Sequence, residues 1–154
     1  HDRPDHPPRL ADVIALVSTS PARLMIEVKS SVDASRMARA LRELLGQGHA
    51  ESRLCWGSLS PDVSANLRAA DARRPLVAIV DRAETLSAFA SLQPEYWAVD
   101  RRLLLGAFQA QIPARRSGLW SWTVNDLALA QALIVSGVDA VITDHPARFA
   151  GITR

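Results

Sequence analysis

Two charged residues, Glu27 and Lys29, stand in an otherwise apolar stretch that begins at Leu24. A carboxylate can ligate a hard divalent cation, and an ammonium group can hold a phosphate oxygen. Side chains alternate between the faces of a strand, so Glu27 and Lys29 share one face and Ile26 and Val28 the other. The spacing predicts a face that binds a cation and a phosphate. The alternative is a plain ion pair on an exposed edge strand, because buried charges need partners.

A second region with polar residues after apolar runs covers positions 120–126 and 137–146. Taken singly, its tryptophans are typical of a core, Asn125 of a helix N-cap and Asp144 of a turn. A structural role is therefore enough to explain the presence of each residue taken by itself. A functional interpretation depends on the two segments being considered together.

These residues belong to apolar runs that alternate with helix-like segments. The runs are rich in β-branched or aromatic residues, and their first residues lie 21 to 30 positions apart. Such alternation is typical of βα units with a parallel sheet, and the short spacing favours a barrel over an open sheet. The predicted strands cover residues 24–28, 54–57, 76–80, 97–99, 119–124 and 140–143.

Helix-start signals occur between the predicted strands. Ser60 before Pro61 is typical of an N-cap with proline at the first helical position. Asn125 with Asp126 predicts another helix start, and that helix is expected to stop at Gly137.

The length of the chain limits how much of a barrel it can form. An eight-stranded TIM barrel usually takes ~250 residues, and ~200 is near the lower limit. The chain has 154 residues. We therefore expect an α/β fold of the TIM (β/α)8 type with about six of eight βα units present and the first one to two missing. No linker divides the chain, so residues 1–154 are expected to form a single partial domain.

Three short motifs occur in a fixed order: I-E-V-K at residues 26–29, W-T-V-N at 122–125 and G-V-D-A-V-I-T-D-H-P at 137–146. They resemble the I-E-I-K strand, the W-T-V-N strand end and the closing G-V-D-G-I-I-T-D-x-P segment of glycerophosphodiester phosphodiesterases. Weaker matches at residues 8–13 and 58–61 extend the resemblance over about residues 8 to 149. Three motifs in register make the resemblance specific.

The resemblance implies a metal-dependent hydrolase that converts glycerophosphodiesters to glycerol 3-phosphate and an alcohol. Position by position, it implies that Glu27 ligates a divalent cation such as Mg²⁺ or Ca²⁺. It also implies that Lys29 contacts the phosphate and that Trp122 lines the pocket beside the glycerol moiety. Because Glu27 is the one clear ligand, we expect weak divalent binding; Asp100 and Asp144 are the next carboxylates to consider.

The family's two proton-transferring histidines lie in an H-R-G motif after strand one and an H-D turn after strand two. The chain contains no H-R-G motif. His1-Asp2 is either a remnant of the H-D turn or a truncation junction. His6, His49 and His145 are expected on the surface or in loops. The catalytic residues therefore stay unassigned, and we expect this chain to be inactive by itself.

Composition argues against several classes of partner. The net charge is +2 and the basic residues are scattered, which does not favour nucleic-acid binding. No apolar run approaches the roughly 18 residues needed to span a bilayer. Cys55 lies in an apolar run, where a buried, inert thiol is expected. The expected partner is a small-molecule glycerophosphodiester, with homo-oligomers through open barrel edges as a further expectation.

Two other functions stay open at this stage. One is a related phospholipase C or sphingomyelinase D-like barrel, and the other is a non-catalytic barrel remnant that acts as a binding module. A cytoplasmic location is expected, and a secretory signal upstream of His1 stays open as the alternative.

Overall fold

The computed structural model describes residues 7–29, 34–45, 53–113 and 118–152. The strands are β1 (Leu24–Glu27), β2 (Leu54–Ser58), β3 (Leu76–Val80), β4 (Tyr96–Asp100), β5 (Gly118–Trp122) and β6 (Ala140–Val141). The helices are α1 (Leu10–Ser18), α2 (Ala34–Leu45), α3 (Pro61–Ala70), α4 (Leu86–Ala90), α5 (Arg101–Leu104) and α6 (Leu127–Val135). Short 3-10 helices cover Ala83–Thr85, Ala107–Gln111 and Pro146–Phe149. Each predicted strand therefore has an observed counterpart.

The six strands form one parallel sheet in the order β1-β2-β3-β4-β5-β6. Strands that are consecutive in the chain are neighbours in space throughout. A barrel is wound in this single direction, whereas a doubly wound open sheet reverses its order at a switch point. The predicted α/β class with parallel βα units is confirmed, and β1 and β6 are the edges among the described strands.

The outer face of the curled sheet packs against the helices in two apolar clusters. One gathers side chains of the first half of the chain, including Ile26 and Val28 of the β1 segment, around Leu41 of α2 and Leu67 of α3. The other gathers the second half around Phe89 of α4. Burial of this outer layer holds the strands in place, because each fully buried aliphatic side chain contributes about 1.5–3 kcal/mol.

The inner face of the sheet carries a separate cluster with no helix residue in it. Its members are Cys55, Val77, Ile79 and Ala98, with Met25, Tyr96, Trp120, Trp122 and Ile142 packed against them. Gly57 is needed in this layer, since a Cβ there would lie 3.0 Å from Met25 Sδ and 3.2 Å from Ile79 Cδ1. Because Gly57 has no side chain, the Met25 thioether can pack over β2 on the inner face.

The N-cap of α3 is the residue predicted from the sequence, whereas the N-cap of α6 is not. Ser60 Oγ accepts a hydrogen bond from the Val63 amide at 3.3 Å, as predicted. Asp126, however, caps α6 by accepting from the Leu129 amide at 2.8 Å, so the N-cap assignment of Asn125 was wrong. The last turn of α6 is followed by Gly137 at φ 102°, where glycine avoids a Cβ clash.

None of the helices in the described ranges has the length and apolar character required to cross a membrane.

Candidate active site at the carboxyl ends of the strands

The carboxyl end of β1 presents Glu27 and Lys29 away from the helices. Ile26 and Val28 are buried on the helix side, so the strand alternates as the sequence predicts. The Glu27 Oε1 and Lys29 Nζ atoms are 4.0 Å apart, and the side chains are 31% and 79% exposed. A pair this long and this exposed contributes little to stability, which leaves both charges available to a ligand. The plain ion pair and the binding face are therefore compatible in this geometry.

Trp122, at the end of β5, lies on the same inner face as Met25 of β1. Its indole Nε1 donates a hydrogen bond to the Ala98 carbonyl at 3.0 Å, which fixes the ring across β4. The indole is partly buried, so one side packs on the cluster and another stays accessible. Such an aromatic surface suits the carbon skeleton of a small polar ligand.

Asp100 ends β4 directly opposite Trp122 in the sheet register. Its carboxylate accepts from the Arg102 amide at 2.8 Å and from the Arg102 guanidinium at 2.6 to 3.1 Å. The hydrogen bonds from Arg102 hold the pKa of this carboxyl below its usual value. Sequence reasoning had considered Asp100 as a cation ligand, but its oxygens are engaged by Arg102.

Asn125 joins the end of β5 to the end of β6. Its Oδ1 accepts from Thr143 Oγ1 and from the Asp144 amide, both at 3.0 Å, and its Nδ2 donates to Asp144 Oδ2 at 2.8 Å. The two polar segments singled out in the sequence therefore meet, and Asn125 is the residue that joins them. This network fixes the strand ends beside Trp122.

The described carboxylates do not form a cation site by themselves. Nowhere in the described ranges do three or more His, Cys, Asp or Glu residues gather around one point. Hard cations take six or more oxygen ligands, several of them carboxylates. Glu27 could supply one ligand, while Asp100 and Asp144 are bonded to Arg102 and Asn125. The implied metal thus does not fit this donor set alone.

The predicted histidines contribute nothing to the inner face in the described part of the chain. His145 is exposed beside the 3-10 helix Pro146–Phe149. His1, Asp2, His6 and His49 lie outside the described residues.

A cavity of about 240 Å³ opens at the other end of the inner face. It is lined by Arg23, Met25, Arg53, Leu54, Cys55, Pro75, Tyr96, Trp120 and Ile142. Its lining extends from Met25 of β1 to Ile142 after β6, so the cavity lies across the inner face of the sheet. Cys55 is buried as expected, and burial raises the pKa of its thiol to about 11, which makes it a poor nucleophile at neutral pH. An eight-stranded barrel fills this interior layer with side chains.

Comparison with known proteins gives similarity in structure only. No family model and no curated protein sequence matches the chain. Among solved structures, it is similar to a glycerophosphodiester phosphodiesterase from Parabacteroides distasonis, at 17% identity and a TM-score of 0.74. It is also similar to a putative glycerophosphoryl diester phosphodiesterase from Silicibacter pomeroyi, at 20% identity and a TM-score of 0.73. A phosphodiesterase from Oleispira antarctica, solved with the product sn-glycerol-3-phosphate, has 19% identity and a TM-score of 0.73.

Each of these matches covers 92% of this chain but only 61%, 54% and 59% of the respective structure. The chain thus spans less than two thirds of the length of the proteins it resembles. The six-stranded curled parallel sheet is the fold of solved glycerophosphodiester phosphodiesterases over that shared part.

Proposed function

We propose that this chain is part of a phosphoric diester hydrolase of the glycerophosphodiester phosphodiesterase type. The observation that carries the proposal is the placement of Glu27, Lys29 and Trp122 at strand ends facing away from the helices. The carboxyl-terminal mouth is where enzymes with this fold keep their sites. The reaction is the addition of water to the phosphorus of a glycerophosphodiester, with departure of the alcohol and formation of glycerol 3-phosphate.

The three residues have different roles in this proposal. Lys29 is exposed and only loosely paired, so its ammonium can neutralise a phosphate oxygen. Trp122, fixed by Ala98, packs against the glycerol carbons. Glu27 could supply one carboxylate to a divalent cation, Mg²⁺ or Ca²⁺, which would need its other ligands from outside the described residues.

We infer that the six βα units correspond to the last six of an eight-unit barrel. The first two units would lie between β6 and β1 and would supply the histidines that transfer protons to and from the reacting oxygens. Without them, unpaired strand edges invite association with another copy of the chain. The match to only 54–61% of each solved neighbour supports this assignment.

The test is hydrolysis of glycerophosphocholine by the 154-residue chain and by a version extended upstream by two βα units. We expect turnover only from the extended version, because the H-R-G motif that carries one proton-transferring histidine is absent from the shorter one. In the extended background, Glu27→Gln should remove most activity, whereas Ile26→Val on the opposite face is the matched control and should keep it. Turnover by the short chain would refute the assignment of the missing histidines. No turnover by a folded extended version would favour a binding module.

A further inference from the structure

The carboxyl end of β4 holds a buried carboxylate that the proposed reaction does not use. Asp100 is only 5% exposed, and its charge is matched by Arg102, two residues along the chain. Burying a carboxylate is costly unless it is paired and fully hydrogen-bonded. The pair is therefore more than an incidental surface contact.

The hydrogen bonds of the pair leave the Arg102 guanidinium, and not the Asp100 carboxylate, able to bind a ligand. Asp100 Oδ1 accepts from the Arg102 amide and Nε, and Oδ2 accepts from Nε and Nη2. Both oxygens are thus engaged, which leaves the carboxylate a poor metal ligand and a poor base. Within the described ranges, Arg102 Nη1 has no hydrogen-bond partner, and 75% of the side chain is exposed. Asp100 therefore holds one edge of the guanidinium and leaves the other exposed to solvent, with Asp81 as a second carboxylate that acts on its charge.

That guanidinium stands at the same mouth as the proposed site. Asp100 is opposite Trp122 in the register, and the neighbouring Arg101 donates to the Thr123 carbonyl, which ties the start of α5 to the residue after β5. Lys29 lies three strands away at β1, ~14 Å along the sheet at ~4.8 Å per strand. The mouth thus has a cationic group on each side.

We propose that Arg102 is a substrate-binding residue that engages a second anionic group of the substrate, a carboxylate or a phosphate, while Lys29 holds the phosphodiester. A planar guanidinium fixed by a carboxylate is suited to bidentate recognition of such groups. The proposal rests on the proposed function and narrows its substrates. It predicts that diesters with an additional anion bind more tightly than glycerophosphocholine, whose turnover by the extended version is still expected but at a higher KM.

The experiment is a titration of the 154-residue chain with inorganic phosphate, followed through the arginine Nε–Hε signals in ¹H–¹⁵N NMR spectra. A parallel titration with acetate distinguishes carboxylate from phosphate, and sodium chloride at matched ionic strength is the blank. The Arg102 signal, assigned by its loss in Arg102→Gln, should shift saturably with phosphate, acetate or both. Arg82 is the matched control, because it is 70% exposed and also lies beside a strand-end aspartate, Asp81. Its signal should follow ionic strength only.

The Asp100→Asn variant tests whether anion binding depends on the orientation of the Arg102 guanidinium or only on its positive charge. Arg102 keeps its charge in this variant but loses the ionised carboxylate that orients it, so the apparent affinity should fall at least about fivefold. Equal responses of Arg82 and Arg102, or unchanged affinity in Asp100→Asn, would overturn the proposal. If Arg102 binds saturably but the extended protein hydrolyses no diester, the anion site stands and the proposed function falls. If the extended protein hydrolyses a diester but the Arg102 signal does not respond to either anion, the proposed function stands and the anion site falls.

Discussion

The two sides of the mouth differ in how firmly the chain holds its polar side chains. On the β4–β6 side, Arg102 bonds Asp100 at 2.6 Å, Asn125 bonds Asp144 at 2.8 Å and the Trp122 indole is tied to β4. On the β1 side, Glu27 and Lys29 approach each other only to 4.0 Å. The first side is organised by contacts between strand ends, made by Trp122 and Asn125, and by the local Asp100–Arg102 pair.

Position in the sheet explains the contacts of Trp122 and Asn125 but not the local Asp100–Arg102 pair. A central strand has a neighbour on each side to supply partners, whereas β1 has only β2 among the described strands. Preorganised groups recognise a ligand with little further ordering, while loosely held ones depend on additional contacts. Under the proposed function, the side that would contact glycerol is held by more contacts within the described strands than the side that carries Glu27 and Lys29.

The largest expected change on the organised side comes from Trp122→Ala. It removes a partly buried indole and its bond to Ala98, and we expect the free energy of unfolding to fall by about 2–3 kcal/mol. Trp122→Phe keeps most of the apolar contact and should lose about 1 kcal/mol, the contribution of one hydrogen bond. Urea denaturation measures both values. Equal stability of Trp122→Ala and the natural chain would mean that the ring is not packed on β4.

Asp100→Asn probes the same side through its charge. Loss of the charged hydrogen bonds to Arg102 should lower the free energy of unfolding near neutral pH, by less than Trp122→Ala does, because Arg102 is exposed to solvent and the pair is screened. The pKa of Asp100 is lowered in the folded state, so its stabilisation is present above the usual value of 3.8 and is lost as pH falls through the lower folded value. The difference between the two proteins should therefore disappear in strong acid. A difference independent of pH would argue against the ion pair.

Ile26→Val tests the helix side of β1. Removal of one buried methylene should lower the free energy of unfolding by ~1 kcal/mol, because Ile26 is 8% exposed within its cluster. Thermal or urea unfolding gives the value. A change near zero would place Ile26 outside the core and reverse the assigned faces of the strand.

The smallest effect is expected for Glu27→Gln, on the inner side of the same strand. With the pair to Lys29 long and exposed, the free energy of unfolding should change by less than about 0.5 kcal/mol. Measured beside Ile26→Val, this variant shows whether the two faces of β1 serve stability and binding separately. A loss above about 2 kcal/mol would show that Glu27 is a structural charge.

Local sequence patterns were sufficient for the strands and for their faces. The alternation around Glu27 and the proline after Ser60 depend on neighbours within a few residues, and both predictions agree with the structure. Partners far apart in the chain were not predictable. Asn and Asp are both common N-cap residues, so the residue types do not distinguish Asn125 from Asp126. In the structure Asn125 bonds Asp144, far along the chain, and Asp126 caps α6.

The Asp100–Arg102 pair was missed for a related reason. An aspartate at a strand end followed by arginines fits a cation ligand as well as an ion pair, and the choice depends on the rotamer of a long side chain. The site histidines and the complete metal ligand set could not be predicted either, because the chain contains no H-R-G motif, a remnant of the H-D turn is only one of two interpretations of His1-Asp2, and Glu27 is the one clear ligand. Those features stay proposals.

Amide hydrogen exchange across the sheet tests most directly the claim that the two sides of the mouth are unequally held. The Val28 amide, bonded to the Gly57 carbonyl at 2.8 Å, reports on β1, and the hydrogen-bonded amides of Tyr96–Asp100 report on β4. We predict that β1 exchanges at least ~10-fold faster than β4 through local opening, and that addition of the two upstream βα units removes the difference. Equal protection of β1 and β4 in the 154-residue chain would contradict the account.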